Sequence, residues 1–266
     1  MEVIVKDNYD EMSKLAARLI ANVVCEKPNC VLGLATGSTP VGTYKELIRL
    51  HKEEKLDFSR VVTFNLDEYI GLSPEHDQSY YYFMHENLFN HINIPPGNIH
   101  LPPGTDEDIE AACERYEQMI RAAGGIDIQL LGIGSNGHIA FNEPGSSLGS
   151  RTRVKTLDDG TIKDNARFFD KIEDVPRYAV TMGIGTIMDS RRLLLLANKA
   201  NKSRAISITV EGPVTALVPA TVVQLHPRAT IIVDKDAAAE LKRTYRDSPR
   251  DLTEAIAYIK RQKGKK

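Results

Sequence analysis

Three segments of the sequence place polar side chains directly after an apolar run. They are residues 31–40, 61–69 and 130–144, and each begins with the consecutive aliphatic residues typical of a buried strand. Each then continues into hydroxyl, carboxylate, amide or imidazole side chains. In an open α/β sheet, ligands bind beyond the carboxyl ends of the strands. The agreement of three independent segments therefore predicts one site at that edge of a sheet.

The first segment has the sequence GLATGSTP at residues 33–40 and is typical of a strand–turn–helix junction. Its candidate anion-binding residues are Thr36, Gly37, Ser38 and Thr39. Glycine lets the backbone approach an anion, backbone N–H groups converge where a helix begins, and hydroxyls add donors. The segment is neither a Walker A loop nor a GxGxxG dinucleotide loop. A tight turn with a Ser or Thr helix cap is the structural alternative to phosphate binding.

The second segment contains two adjacent carboxylates, Asp67 and Glu68, where an apolar strand ends. Successive strand residues point to opposite sides, so only one of the two can easily face the crevice. A carboxylate placed there can take a proton from a carbon beside a carbonyl or an iminium. A helix cap or a surface pair is the alternative.

The third segment, LLGIGSNGHIAFNEP at residues 130–144, presents Asn136, His138, Asn142 and Glu143 after a Gly-rich turn. A His held by a carboxylate is a competent general acid and base, because the carboxylate fixes its tautomer and stabilises the imidazolium. A purely structural His is the alternative. We find no Ser/His/Asp nucleophile elbow and no metal-ligand spacing in the sequence. The residues therefore favour proton transfer on a phosphorylated small molecule, without a metal or an organic cofactor.

The elements that must position these residues alternate along the chain. Short β-rich runs are followed by longer amphipathic segments, the pattern of βα units on a parallel sheet. The fold we expect is an α/β, doubly wound, mostly parallel sheet with helices on both faces, similar to a Rossmann fold. No Gly/Ser linker or repeat divides residues 1–266, which predicts a single domain. Residues 145–175 lack a clear period and are a candidate lid.

Individual elements follow from the same pattern. Strands are expected at residues 3–5, 31–35, 61–66, 126–133, 178–182, 193–197 and 230–233. Helices are expected at residues 10–25 and 106–122, with another beginning at Pro40, where its missing N–H costs nothing.

Composition excludes several classes of protein. Charged residues make up 26% and apolar residues 42% of the 266, which is ordinary for a globular chain. A formal net charge of −2 gives no reason to expect nucleic acid or an acidic membrane as partner. Three cysteines without zinc spacing and the lack of a signal peptide favour a cytoplasmic location. No apolar run approaches the roughly 18–20 residues of a membrane helix.

The quoted motifs resemble those of the glucosamine-6-phosphate deaminase (isomerase) family. The segments that carry the resemblance include GLATGSTPVGTYKEL, VVTFNLDEYIGL, SYYYFMHENLF and GIGSNGHIAFNEPGSSLGSRTRVKTL, and the match extends from the N-terminal helix to about residue 235. The resemblance implies an enzyme that converts D-glucosamine 6-phosphate and water to D-fructose 6-phosphate and ammonia. Ring opening, enolisation and deamination are the steps it implies.

The resemblance assigns roles to four residues. Asp67 matches the base that moves a proton between C2 and C1, and His138 matches the group that opens the pyranose ring. Glu143 matches the carboxylate partner of that His. Asn136 stands where many members have Asp, which removes one negative charge near His138 and some support for its imidazolium. An amide can still accept a hydrogen bond and orient the ring.

The phosphate and effector sites follow from the resemblance in the same way. Residues 36–39 match the phosphate loop, and Arg167 and Lys202 match its distant basic partners, although sequence alone would not select these two from 34 Lys and Arg. Some members are hexamers activated by N-acetylglucosamine 6-phosphate. The residues that match their effector site are Ser146, Arg153, Lys155 and Thr156. A C-terminal tyrosine of that site has no clear counterpart, because Tyr245 is out of register, so we expect weak activation in a homo-oligomer (hexamer or smaller).

Two alternative functions stay open. A sugar-phosphate lactonase or pentose-phosphate isomerase would share the fold, but a lactonase needs no enolising base, and Asp67 argues against it. A sugar-phosphate sensor of a transcription regulator should carry a helix-turn-helix segment, whereas this chain begins the α/β pattern by residue 3.

Overall fold

A computed structural model describes residues 1–166 and 169–245 of the chain. Its ten strands are β1 (Glu2–Lys6), β2 (Val31–Leu34), β3 (Val62–Asn65), β4 (Asp67–Tyr69), β5 (Ile99–His100), β6 (Ile128–Leu131), β7 (Arg153–Thr156), β8 (Tyr178–Thr181), β9 (Leu193–Ala197) and β10 (Ala229–Asp234). Its seven α-helices are α1 (Tyr9–Glu26), α2 (Val41–Glu54), α3 (Tyr80–Asn87), α4 (Ile109–Ala122), α5 (Asp159–Asn165), α6 (Ile184–Met188) and α7 (Ser203–Glu211). All these elements belong to the described part of the chain.

Seven strands form one sheet in the order β1-β10-β9-β6-β2-β3-β5, and their pairings are parallel. From β2 the chain moves outward to β3 and β5, and then returns to β6 on the other side of β2. Because βαβ crossovers are right-handed, this reversal places helices on opposite faces of the sheet. The doubly wound α/β fold is thereby confirmed. The reversal also opens a crevice at the carboxyl ends of β2 and β6.

The central strands are buried along their whole length, as parallel strands covered on both faces should be. β9, with the sequence LLLLA, and β2, with VLGL, have no exposed residue. Helix starts are marked by polar caps: Asn8 accepts from Glu11 N (2.9 Å) at α1, and Ser79 accepts from Tyr82 N (3.0 Å) at α3. Such caps fix where each helix begins and therefore the loops around the crevice.

A second, three-stranded antiparallel sheet has the order β4-β8-β7 and was not predicted. The strand expected at residues 178–182 is present as β8, but it pairs with β4 and β7 outside the main sheet. The segment 145–175 contains β7 and α5, and its role as a lid stays a prediction. A four-residue strand such as β7 is too short for periodicity to reveal. The sheet packs around its own apolar cluster, which includes Tyr69, Phe141 and Leu157.

The two sheets are joined at Leu66, the residue between β3 and β4. Its N–H donates to the carbonyl of Leu34 in the main sheet (3.1 Å), and its carbonyl accepts from Met182 N after β8 (2.6 Å). This junction fixes the position of Asp67 immediately beyond the main sheet. In the described residues, no helix has the length and apolar character needed to cross a membrane.

Candidate active site

A cavity of about 240 Å³ lies at the carboxyl edge of the main sheet, where the crevice was expected. It is lined by residues from all three of the predicted segments and from the connection between β9 and α7. Among them are Thr36, Gly37, Ser38, Thr39, Asp67, Tyr80, His138, Thr161, Lys199 and Lys202. Cavities of about 660 and 1090 Å³ lie elsewhere on the surface, but they contain none of the acid, base or hydroxyl residues of this group.

The turn at residues 36–39 connects β2 to α2 as predicted, and Gly37 adopts φ 92°, a conformation that favours glycine. Two long-range contacts hold the turn. The hydroxyl of Tyr9 bonds to the carbonyls of Ser38 (3.1 Å) and Thr39 (3.0 Å). The Thr39 hydroxyl donates to Asn198 Oδ1 (2.9 Å) at the end of β9. The turn is therefore fixed before any anion reaches it.

Asp67 and Glu68 face different surroundings, as strand alternation requires. Asp67 is buried and lines the cavity, and burial together with the neighbouring Glu68 carboxylate raises its pKa to about 8. Glu68 accepts backbone N–H groups from Tyr69 (2.8 Å), Tyr80 (2.9 Å) and Tyr81 (2.9 Å). Glu68 thus caps α3, while Asp67 is the carboxyl available to a ligand, and its pKa near neutrality suits proton transfer in both directions.

His138 and Glu143 form the second group with proton-transfer character. His138 Nδ1 lies 3.4 Å from Glu143 Oε2, and Asn136 Nδ2 donates to the same carboxylate oxygen (2.9 Å). The hydroxyl of Thr161 donates to the other oxygen, Oε1. Burial alone would raise the pKa of Glu143, but His138 and the donors Thr161 and Asn136 outweigh it and hold the pKa at about 2. Glu143 is therefore ionised at neutral pH and faces the imidazole with a full negative charge.

The glycine turn before His138 sets the direction of its ring. A Cβ on Gly134 would lie 2.3 Å from the imidazole, so only glycine lets the ring fold back over the turn. Gly134 N–H donates to the His138 carbonyl (2.9 Å), and His138 N–H donates to Asn136 Oδ1 (3.1 Å). Gly137 between them has φ 84°. Asn136 and Glu143 do not line the cavity, so they position the imidazole, and His138 is the member that a ligand can touch.

Sequence reasoning missed several residues of the cavity, and three of them are Thr161, Tyr80 and Lys199. Thr161 comes from α5, within the segment that had no clear period. Tyr80 lines the cavity and packs against Tyr69 and Phe141 at ring-centroid distances of 4.9 and 6.1 Å. Burial raises the pKa of Tyr80, so its hydroxyl stays neutral. The aromatic run at residues 80–83 was the available signal for Tyr80. Lys199, the third, had none.

Of the two basic residues predicted to bind the phosphate, only one belongs to the described part of the chain. Lys202 lines the cavity near the turn at residues 36–39. Arg167 lies outside the described residues.

The predicted effector-site residues come from two segments, the strand β7 and the loop that contains Ser146. Along β7, Arg153 and Lys155 are half-buried, whereas Thr156 is on the exposed, alternate face. Ser146 is buried, and its N–H donates to the Glu143 carbonyl (3.0 Å). These four assignments stay predictions. Tyr245 is engaged elsewhere, because its hydroxyl donates to Glu211 Oε1 (3.0 Å) at the end of α7.

The cavity combines two proton-transfer groups with a hydroxyl-rich turn. Within residues 1–166 and 169–245, His, Cys, Asp and Glu side chains form no cluster of three that could hold a metal ion. Asp67 and His138 can each donate or accept a proton, and the turn at residues 36–39 offers hydrogen-bond donors to a ligand.

Comparison with known proteins agrees with this description. Residues 6–232 match the family model described as glucosamine-6-phosphate isomerases/6-phosphogluconolactonase. A protein of Thermoanaerobacter pseudethanolicus named glucosamine-6-phosphate deaminase is 57% identical over 239 residues, covering 90% of this chain and 94% of that one. One of Halothermothrix orenii with the same name is 54% identical, covering 91% of this chain and 100% of that one.

Solved structures give the same picture. A structure described as a monomeric glucosamine-6-phosphate deaminase aligns with a TM-score of 0.89 and 48% identity, over 90% of this chain and 100% of that one. The 6-phosphogluconolactonase of Trypanosoma brucei aligns with a TM-score of 0.70 at 21% identity, over 90% of this chain and 98% of that one. That second likeness shows a shared fold alone.

Proposed function

Because the chain belongs to the family of glucosamine-6-phosphate isomerases and 6-phosphogluconolactonases, we propose that it is a deaminase that converts D-glucosamine 6-phosphate and water to D-fructose 6-phosphate and ammonia. The observation that carries the proposal is the pairing of Asp67 with His138 in one cavity. Each comes from a different strand end, and the reaction needs two separate proton transfers. Lactone hydrolysis needs no enolising base, so it would not use the Asp67 carboxyl that lines the cavity.

In the first step, His138 opens the sugar ring. The imidazole takes the proton from the hydroxyl on C1 and delivers a proton to the ring oxygen, so the C1–ring oxygen bond breaks and an aldehyde forms. An imidazolium exists between the two transfers. The Glu143 carboxylate, 3.4 Å from Nδ1, stabilises that cation. Asn136 and Thr161 hold the carboxylate in place through the hydrogen bonds described above.

In the second step, Asp67 acts as the base on carbon. The ionised carboxylate takes the proton from C2, and the electron pair of the C–H bond forms an enolamine. The amino nitrogen releases a proton and O1 gains one, and Asp67 then returns its proton to C1. Water adds to the resulting C2 iminium and expels ammonia, which leaves the ketone of fructose 6-phosphate. A carboxyl whose pKa is near neutrality can both take and return the proton.

We propose that the substrate phosphate binds at the turn of residues 36–39. The backbone N–H groups of this turn, the hydroxyl of Ser38 and the ammonium of Lys202 support this location, because these residues line the cavity. Arg167 is proposed as a further cation on the resemblance alone. The sugar then extends from this turn toward Asp67 and His138, which share the cavity.

The decisive experiment measures two products from one substrate. Purified protein should release ammonia and fructose 6-phosphate in equal amounts from glucosamine 6-phosphate, and 6-phosphogluconolactone should be hydrolysed no faster than without protein. Lactone hydrolysis without ammonia release would replace the deaminase by the lactonase. Binding without either activity would favour a sugar-phosphate sensor.

We further propose that the protein is a cytoplasmic homo-oligomer of the hydrolase class, with Ser146, Arg153, Lys155 and Thr156 at an effector site. The structural relative at 48% identity is described as monomeric, so the oligomer is the part of this proposal most in need of a test. Light scattering behind size-exclusion chromatography separates the cases, because a monomer has a mass of 29.6 kDa and a hexamer about six times that.

A further inference from the structure

Lys199 has a backbone conformation that side chains rarely adopt. It follows β9 with φ 76° and ψ 150°, a region populated essentially by glycine. Three non-glycine residues of the described chain have positive φ, and Lys55 is one of them. Lys55 has φ 61° and ψ 31°, the ordinary left-handed conformation at a helix end. The conformation of Lys199 is therefore more costly, and strain of this kind concentrates at functional sites.

The strained residue is held from both sides. Its N–H donates to both carboxylate oxygens of Asp234 (3.2 and 3.1 Å), and its carbonyl accepts from Lys202 N (3.1 Å). The preceding Asn198 is bonded to Thr39 of the phosphate turn. These bonds use only the backbone of Lys199. They explain how the conformation is maintained. A glycine could make the same bonds, so they do not explain why a lysine side chain is present.

The position of Lys199 suggests a role for its side chain. It lines the 240 Å³ cavity together with Lys202 and the turn at residues 36–39. It also lines an adjoining cavity of about 540 Å³, which shares Ser38 and Asn198 with the first. Lys199 thus lies where the phosphate turn meets solvent. A flexible ammonium on an exposed residue can reach an anion there without the cost of desolvating a buried charge.

Carboxylates near Lys199 could compete with a phosphate for its ammonium. The second cavity also contains Asp7, Asp234 and Asp236. Asp7 is paired with Lys235 Nζ (2.5 Å), and Asp234 accepts the N–H groups of Lys199 and Ala237. Two of the three carboxylates therefore already have partners. A bound phosphate dianion would be the strongest negative charge near the Lys199 ammonium.

We propose that Lys199 is a second cation for the substrate phosphate, acting beside Lys202 and setting affinity for the anionic group. This inference rests on the proposed phosphate site at residues 36–39. Because Lys199 contacts a part of the substrate that does not react, its loss weakens ground-state and transition-state binding alike. The change then appears mainly in KM.

The test uses two substitutions that remove the charge in different backbone contexts. Lys199→Gln keeps a side chain at the strained position, and Lys199→Gly fits the conformation without strain. For both, we expect the Kd of inorganic phosphate by calorimetry and the KM of glucosamine 6-phosphate to rise about 5- to 20-fold, with most of the kinetic change in KM. Lys199→Arg should keep the phosphate Kd and the KM within about threefold of the wild-type values, because the charge remains.

Lys55→Gln is the matched control, because Lys55 is also exposed, also has a positive φ and lines neither cavity. It should leave the phosphate Kd unchanged. A wild-type phosphate Kd in both Lys199→Gln and Lys199→Gly would overturn the proposal. Because phosphate binding is measured without turnover, failure of the Lys199 proposal can be distinguished from failure of the proposed deaminase function. A protein that releases no ammonia but loses phosphate affinity on Lys199→Gln would refute the deaminase and keep this site.

Discussion

Replacing Asp67 by Asn tests the site through both activity and stability. An amide has the shape of the protonated acid and no basicity, so we expect deamination to fall by at least about 10²–10⁴-fold. Exchange of the C2 proton with solvent should vanish, whereas inorganic phosphate should bind with unchanged Kd, because the phosphate turn is intact. Near-normal turnover in the variant would remove Asp67 from the mechanism.

The stability of this variant should depend on pH in a defined direction. The pKa of Asp67 rises from 3.8 to about 8 on folding, first because of burial and then because of Glu68. Between these values the folded state holds a proton that the unfolded state has lost, so wild-type stability falls as pH rises from about 4 to about 8. A shift of about four pKa units corresponds to a loss of at most about 6 kcal/mol in the free energy of unfolding. The amide of the Asp67→Asn variant cannot titrate, so the variant does not lose this contribution.

The assay is thermal unfolding of both proteins from pH 5 to pH 9. The Asp67→Asn variant should be more stable than wild type by a margin that is small at pH 5 and grows up to about pH 8, after which it stays constant to pH 9. Even a third of this maximum change in the free energy of unfolding, about 2 kcal/mol, shifts Tm by about 4–8 °C in a domain of this size. Asp189→Asn is the control, because that carboxylate is exposed and paired with Arg151. Parallel Tm curves for wild type and Asp67→Asn would refute a raised pKa at this position.

Three further outcomes are expected. His138→Gln should slow the cyclic substrate far more than an open-chain analogue, because His138 serves ring opening, and equal losses on both substrates would give it another role. Prolonged chelation should leave activity unchanged, since acid–base side chains suffice for the reaction, and activity restored by added metal would contradict this. N-acetylglucosamine 6-phosphate should change the saturation curve little, because an effector acts only through differential affinity for two states and Tyr245 is bonded to Glu211. Sigmoidal kinetics made hyperbolic by micromolar effector would show that the switch is intact.

The location of the site was predictable because it depends on local patterns. Residues 31–40, 61–69 and 130–144 each combine a buried strand with a polar turn, and β2, β3 and β6 prove to be neighbours in the sheet. The alternation rule also separated Asp67 from Glu68. Such features are encoded within about ten consecutive residues, so a single sequence is enough to find them.

The remaining features depend on contacts between distant parts of the chain. Thr39 bonds to Asn198 across 159 positions, and Phe141 N to the Thr181 hydroxyl across 40. The small sheet forms from three short strands that meet only after the chain has folded. A contact of this kind leaves no periodicity at either end, so no local pattern could have indicated that Thr161 would reach Glu143.

Asn136 shows how such a contact changes the interpretation of a substitution. From the sequence, an amide in place of a carboxylate removes a charge that would support the imidazolium of His138. In the structure, Asn136 Nδ2 donates to Glu143 Oε2, the oxygen that faces His138 Nδ1. An ionised Asp could not donate this bond and would repel Glu143. The amide helps to hold the pKa of Glu143 at about 2, and so strengthens the remaining carboxylate as the partner of His138. The lost charge is therefore offset, at least in part, by a better fixed and fully ionised Glu143.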